Sequence, residues 1–160
     1  MKYFLLTLKH KWFVFIAGFS TKAPLWSLII HDWSKLLPYN LYHYNKQFFG
    51  KKDAPKKFAF VWLAHQNTHR HHWEYWVPRT LHCKSLEDTN WRENEPVPMP
   101  EWAVREMVAD WLGASRAYEG HWPDPNNWKW LDKNFNRMQL HHDTMQMILN
   151  IIEELKAKKW

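Results

Sequence analysis

Cysteine is almost absent from this chain, with Cys83 alone among 160 residues. A single thiol cannot form an internal disulfide. The N-terminal run rich in Phe and Leu is not typical of a secretory signal, because Lys9, His10 and Lys11 interrupt it and no small-residue cleavage site follows. Both absences predict a reducing, cytoplasmic location. They also restrict the candidate metal ligands to histidine and carboxylate side chains.

Long hydrophobic runs and tracts of one charge sign are missing as well. No stretch approaches the roughly eighteen consecutive apolar residues of a membrane span, so we expect no membrane partner. Apolar residues make up 46% and charged residues 24% of the chain, which is a globular balance. The length fits one domain, residues 1–160, with a single core.

The formal net charge of +6 raises the question of an anionic partner. Lysines cluster at positions 51, 52, 56 and 57 and again at 156, 158 and 159, where they are typical of solvated helix ends. No known basic-aromatic signature of nucleic-acid binding accompanies them. We therefore expect a small anionic substrate, with a nucleic acid as the second alternative.

Strand patterns are almost missing, whereas helical periodicity recurs along the chain. Apolar residues spaced three and four apart, and prolines that can open a first turn, predict most of the helices. These helices span residues 2–19, 24–35, 38–49, 55–76, 100–118, 128–136 and 141–160, the last capped by Asp143 or Thr144. Residues 78–99 lack periodicity and predict a long loop or lid. The expected fold is an all-α compact bundle of about six to seven helices.

The motif LIIHDWSK contains the first candidate site. A helix that buries the three apolar residues before His31 and Asp32 must carry this pair close to the core, where a carboxylate needs a counter-charge, hydrogen bonds or a metal ion. The alternative is a surface pair, or an Asp32–Lys35 contact across one turn. His10 and Asp110 also lie beside apolar stripes, on two other predicted helices. Four such groups on three helices favour a shared site.

The order His10, His31–Asp32, Asp110, together with HDWSK, resembles the HD-domain superfamily of metal-dependent phosphohydrolases over roughly residues 5–118. The motifs HDWSK, HHWEYW and EMVADW look like those of a family of small bacterial and phage proteins of unassigned function. The superfamily resemblance implies an HD-like helical domain, a His/Asp metal centre and hydrolysis of a phosphoester. It also implies that Lys35 meets a phosphate oxygen; an exposed lysine is the alternative.

The stretch HQNTHRHHWEYW adds four histidines within eight residues. On one continuous helix, His65, His69 and His72 fall within about 60° of one another, but His65 and His72 lie too far apart to share one ion readily. The resemblance implies that histidines between the doublet and the last Asp bind a second ion, often including a pair like His71–His72. Either the helix breaks near His69 and Arg70, or only some of the four bind metal. We predict His65 and His72 first and His71 next, with His69 solvated.

The predicted site joins these residues. Its metal ligands are His10, His31, Asp32, His65, His71, His72 and Asp110. This ligand set suits one or two ions of Mn, Fe, Co, Ni or Zn, with Asp32 placed to bridge two ions and to take part in catalysis with Lys35. Glu106, one turn before Asp110, is predicted to hold a ligand histidine in one tautomer, and Arg116 to contact an anionic substrate.

The preferred function is hydrolysis of a nucleotide or another small phosphorylated substrate. Aromatic rings near the predicted ligands can stack on a base or simply fill the core; these are Trp33, Trp73, Trp76 and Trp111. Two alternatives stay open. The HD fold also hosts mixed-valent di-iron oxygenases with six His and Asp ligands in a similar order, and a non-enzymatic protein could sequester a ligand or bind a host factor.

Overall fold

A computed structural model of the protein describes residues 2–52, 55–78 and 95–158. Within these ranges the chain is all α-helical, as predicted, with no β-strand. The α-helices are α1 (Lys2–Thr21), α2 (Leu25–Ile30), α3 (Pro38–Phe49), α4 (Pro55–Thr68), α5 (Glu101–Glu119), α6 (Lys129–Phe135) and α7 (His142–Ala157). Two short 3₁₀ helices, Trp33–Leu36 and Trp73–Trp76, follow α2 and α4.

The pairing of α1 with α5 is the centre of the bundle. Apolar residues at helical spacing on both helices, such as Val14, Val104, Val108 and Leu112, are completely buried between them. The two backbones approach closely at Gly113, where a Cβ atom would lie 2.6 Å from the backbone nitrogen of Val14. This close approach sets His10 on α1 opposite Asp110 on α5.

Helix α7 covers another side of α5 with a regular apolar stripe, Ile148, Ile151, Ile152 and Leu155. Its N-cap differs from the prediction. The side chain of His141 accepts a hydrogen bond from the backbone N–H of Asp143, while Thr144 is buried and its hydroxyl oxygen accepts one from the backbone N–H of Met99. The prediction of Asp143 or Thr144 as the cap is therefore wrong, because Thr144 is used in a tertiary contact.

Two of the predicted helices end earlier than expected, and both breaks carry site residues. The helix predicted to run to residue 35 stops at Ile30, and Asp32 adopts the left-handed conformation with φ 54°. The helix predicted to run to residue 76 stops at Thr68. The prediction of one continuous helix through HQNTHRHHWEYW is therefore wrong. The alternative, a break near His69 and Arg70, is confirmed. A left-handed non-glycine residue costs roughly 1–2 kcal/mol, so the surrounding structure must hold Asp32 in place.

The predicted long loop is only partly within the described residues. Pro78 and residues 95–100 have irregular backbone, and the N–H of Val97 donates to the carbonyl of Trp76 over 2.9 Å. Residues 79–94, on which most of the loop or lid prediction rests, lie outside the described residues, as do positions 159 and 160. Among the described helices, none has the length and apolar character needed to cross a membrane.

Candidate metal centre

The structure brings together all seven predicted ligand side chains, although they come from distant parts of the chain. His10 is on α1 and Asp110 on α5, while the other five lie at or beside the two helix breaks. His10, His31, Asp32, His65 and His71 are buried, and His72 and Asp110 are partly exposed. Their nitrogen and oxygen atoms form two clusters, each with ligand atoms within 4.8 Å of one another.

The first cluster consists of His10, His31, Asp32 and Asp110. Nε2 of His10 lies 3.0 Å from Oδ1 of Asp110 and 3.2 Å from Oδ2 of Asp32. Nε2 of His31 lies 3.3 Å from Nε2 of His10 and 3.4 Å from Oδ1 of Asp110. Two imidazole nitrogens and two carboxylates therefore converge on one buried point.

The second cluster consists of Asp32, His65, His71 and His72. Oδ1 of Asp32 lies 3.2 Å from Nε2 of His65 and 3.5 Å from Nε2 of His71. Nε2 of His65 and Nε2 of His72 are 2.9 Å apart. Asp32 thus turns one carboxylate oxygen to each cluster, the arrangement expected of a ligand that bridges two ions.

Two buried atoms of the second cluster have no hydrogen-bond partner among the described residues, which fits a site for a metal ion. Oδ1 of Asp32 and Nε2 of His71 are buried, and no residue in the described ranges offers either a hydrogen bond. Such atoms are rare in folded proteins and point to a missing partner. The centre also holds three carboxylates, those of Asp32, Glu106 and Asp110, whose negative charge favours a cation. The clusters can therefore hold a metal ion.

Glu106 supports one histidine of each cluster. The Nδ1–H groups of His31 and His71 donate to the same oxygen, Oε1 of Glu106, over 2.9 and 3.0 Å. Burial raises the pKa of Glu106, but the two histidine hydrogen bonds outweigh it and lower the pKa to about 2. His31, His71 and Glu106 also form a third group of potential ligand atoms. The distances from the two Nδ1 atoms to Oε1 of Glu106 are those of hydrogen bonds, so we assign Glu106 a supporting role. Glu106 thus leaves both Nε2 atoms free to face the clusters, the geometry its predicted role requires.

Ser34 and His69 form a second support that the sequence analysis missed. Oγ of Ser34 lies 2.9 Å from Nδ1 of His65 and 2.7 Å from Nε2 of His69. When His65 turns its Nε2 lone pair to the cluster, its Nδ1–H donates to Ser34, whose hydroxyl donates to His69. His69 is only 6% exposed, so the prediction that it is solvated is wrong. The backbone N–H of His69 still donates to the carbonyl of His65, which keeps both side chains on the same face.

The surroundings set the protonation of the second cluster. Burial is the main cause that lowers the pKa of His65 to about 4 and that of His72 well below its usual value. Both therefore stay in the neutral form that binds metals. Burial also lowers the pKa of His71, but the nearby carboxylates of Asp32 and Glu106 outweigh it and raise the pKa to about 10. The protein environment at His71 thus favours positive charge.

The two predicted substrate-binding cations occupy different places. Lys35 is 7% exposed, and its ammonium lies 2.5 Å from Oδ2 of Asp32, so the alternative of an exposed lysine is wrong. Burial lowers the pKa of Lys35, but Asp32 outweighs it and holds the pKa well above the usual value. The guanidinium of Arg116 instead lies over the ring of Phe13, 5.3 Å from its centroid. Arg116 is not among the described residues that line the adjoining cavity.

A cavity of about 290 Å³ adjoins both clusters. Its polar wall consists of His10, Lys35, His71, His72, Glu74 and Asp110. The rest is largely aromatic and includes Tyr3, Tyr44, Phe48, Trp62, Trp73, Trp111, Tyr118 and Trp130. Trp73 and Trp111 line this cavity, while Trp111 also belongs to the main hydrophobic core and Trp73 packs against it. Trp33 lines a separate cavity of about 230 Å³, and Trp76 donates its indole N–H to the carbonyl of Arg70.

Comparison with curated proteins and with solved structures found no match. A family model described as a family of unknown function (DUF5662) matches residues 1–154. The matched range contains every residue of both clusters and of the cavity wall described above. The chain therefore belongs to this family of unknown function, DUF5662.

Proposed function

We propose that this protein is a metal-dependent phosphohydrolase that acts on a nucleotide or another small phosphorylated substrate. The observation that carries the proposal is the position of the two clusters, which share Asp32 and contribute four of their side chains to one wall of the cavity. A substrate held in the cavity would lie directly against the ligand side chains. The HD-like order of His10, His31–Asp32 and Asp110 in the sequence supports the same chemistry.

The ligand types define the ions. His10, His31 and Asp110 would hold one ion and His65, His71 and His72 the other, with Asp32 shared. Imidazole nitrogen and carboxylate oxygen suit Mn, Fe, Co, Ni or Zn, and a single occupied cluster is the mononuclear form of the same site. When bound, such ions activate water and stabilise the negative charge that develops at phosphorus.

The protein's own groups position and stabilise the substrate. Lys35 lines the cavity, and its ammonium is placed to donate to a phosphate oxygen and offset charge in the transition state. Glu106 and Ser34 hold three ligand histidines in the tautomer that exposes Nε2. The aromatic wall restricts water at the reacting group, which strengthens each electrostatic contact there.

Metal content is the first test of this proposal. Protein purified without a chelator or an affinity-tag metal is analysed for bound elements and then screened for phosphate release from nucleotides and simple phosphomonoesters. We expect about one or two ions per chain, from the ion counts of such sites, and their loss in His31→Ala and Asp32→Ala. His142→Ala is the matched control, because its side chain is 85% exposed on α7. Unchanged metal in both site variants would exclude the proposed centre.

The second cluster gives some support to a different reaction. With Asp32 shared, the two clusters contain five histidines and two aspartates, a set also able to hold two iron ions in a mixed-valent oxygenase. Anaerobic loading with iron, followed by oxygen uptake with candidate substrates, separates the two reactions. A protein that only sequesters its ligand would return it intact after incubation with the metal-loaded protein.

A further inference from the structure

We propose that Glu74 and the aromatic wall of the cavity form a subsite for an amino or ammonium group of the ligand. The subsite lies beside the second cluster, and the inference rests on the proposed function only in taking the ligand to be a phosphomonoester. Its chemistry is that of an amino or ammonium N–H donor on a small molecule, carried either by the exocyclic amino group of a nucleobase or by a phosphorylated amine.

The two carboxylate oxygens of Glu74 have different surroundings. The side-chain N–H of Gln66 donates to Oε1 over 2.6 Å. Oε2 is buried, and the described part of the chain offers it no hydrogen-bond donor. Nδ1 of His72 lies 3.9 Å from Oε2, beyond hydrogen-bond distance. Because Glu74 lines the cavity, a ligand in the cavity can supply the missing donor.

No lysine or arginine among the described residues of the cavity wall pairs with Glu74. Lys35 is the one lysine or arginine among the described residues of the wall, and its ammonium lies on Asp32. Oε2 therefore favours a ligand N–H donor, above all a cationic one. A ligand carbonyl would be disfavoured there, because its oxygen and Oε2 are both acceptors.

The aromatic rings select the same class of group. Trp62, Trp73, Trp111 and Trp130 line the cavity with Glu74. Tryptophan faces attract an ammonium through the ring quadrupole, and they also stack on a flat base. A carboxylate reads the amino group of a cytosine in the same way, by accepting its N–H. The volume of about 290 Å³ suits a small molecule.

Matched pairs of ligands test the subsite directly. Calorimetry with metal-loaded protein compares CMP with UMP, AMP with IMP, and O-phosphoethanolamine with 2-hydroxyethyl phosphate. In at least one pair, we expect the amino member to bind the wild type about tenfold more tightly or better, as a hydrogen bond to a charged acceptor provides. The pair that discriminates identifies the source of the amino group. Equal binding within all three pairs, or no binding of any probe, would overturn the proposal.

The substitution Glu74→Gln makes the test sharper. Gln66 would retain the amide oxygen as its acceptor, so the amide NH₂ would take the place of Oε2 and present donors to the cavity. The preference should then invert toward UMP or IMP, or disappear for the amine pair. Glu153→Gln is the control, because its carboxylate is 69% exposed on α7. An unchanged preference in Glu74→Gln would contradict the proposal.

Two further measurements separate the subsite from a role of Glu74 in metal binding and from the proposed hydrolysis. Metal content of Glu74→Gln should equal that of the wild type, and a loss of metal would mean that Glu74 acts through His72, which overturns the subsite. Binding is measured independently of turnover. Discrimination within a pair without phosphate release would therefore leave the subsite standing while the proposed hydrolysis fails.

Discussion

Replacing Glu106 by glutamine should weaken both metal sites at once. One oxygen of Glu106 accepts from His31, a member of the first cluster, and from His71, a member of the second. Glu106 is 4% exposed, so water cannot easily replace it. Glutamine keeps the shape but carries no charge, and its oxygen is a weaker acceptor for the two Nδ1–H groups. Loss of such a supporting partner typically lowers metal affinity by about 10–100-fold, or about 1.4–2.7 kcal/mol per site.

Competition with a fluorescent chelator measures the affinity of each ion. We expect both dissociation constants to rise in Glu106→Gln, whereas Asp110→Asn should raise only the first and His72→Ala only the second. Glu101→Gln is the control, because it removes a carboxylate from the same helix at an exposed position. The Glu101 side chain is 64% exposed and paired with Arg105. Circular dichroism confirms that each variant is folded.

If Glu106→Gln weakens one ion and leaves the other at its wild-type affinity, the shared support inferred from the two hydrogen bonds is wrong. If neither affinity changes, Glu106 has no influence on the histidine tautomers. Either result would require a different account of how His31 and His71 are oriented.

Three further changes give distinct readouts. Lys35→Met should lower kcat/KM for phosphate release about 100-fold, the loss typical of one transition-state donor, without changing metal content; an equal loss of metal would contradict the role given to Lys35. Ser34→Ala should weaken only the ion of the second cluster, by roughly tenfold in a titration, because it removes the partner of His65. Gly113→Ala should lower the free energy of unfolding by about 1–3 kcal/mol in a urea titration, because its Cβ would meet the α1 backbone at 2.6 Å. Gly120→Ala is the control, because no described atom lies within 4 Å of the added Cβ. Only the cost of a positive φ, about 1 kcal/mol, is expected there. Equal losses of stability in the two variants would refute the close contact between α1 and α5.

Local patterns in the sequence were enough for the helices and for the types of side chain in the site. Helical periodicity depends on neighbours three and four residues apart, so α1, α3, α5 and α7 were predicted close to their observed bounds. Histidine and aspartate beside apolar stripes are costly unless they have partners, and this cost marked His10, Asp32 and Asp110 as candidates. Naming them as candidate metal ligands needed no knowledge of the fold.

The tertiary structure alone decided which side chains face one another. The left-handed Asp32, the end of α4 at Thr68 and the buried position of His69 are all stabilised by contacts between distant segments. Glu106 meets His31 across 75 positions of the sequence, and Ser34 meets His69 across 35. Periodicity describes one helix at a time, whereas hydrogen bonds between elements determine where a helix breaks. Which oxygen of Asp32 faces which cluster therefore became visible only in the folded chain.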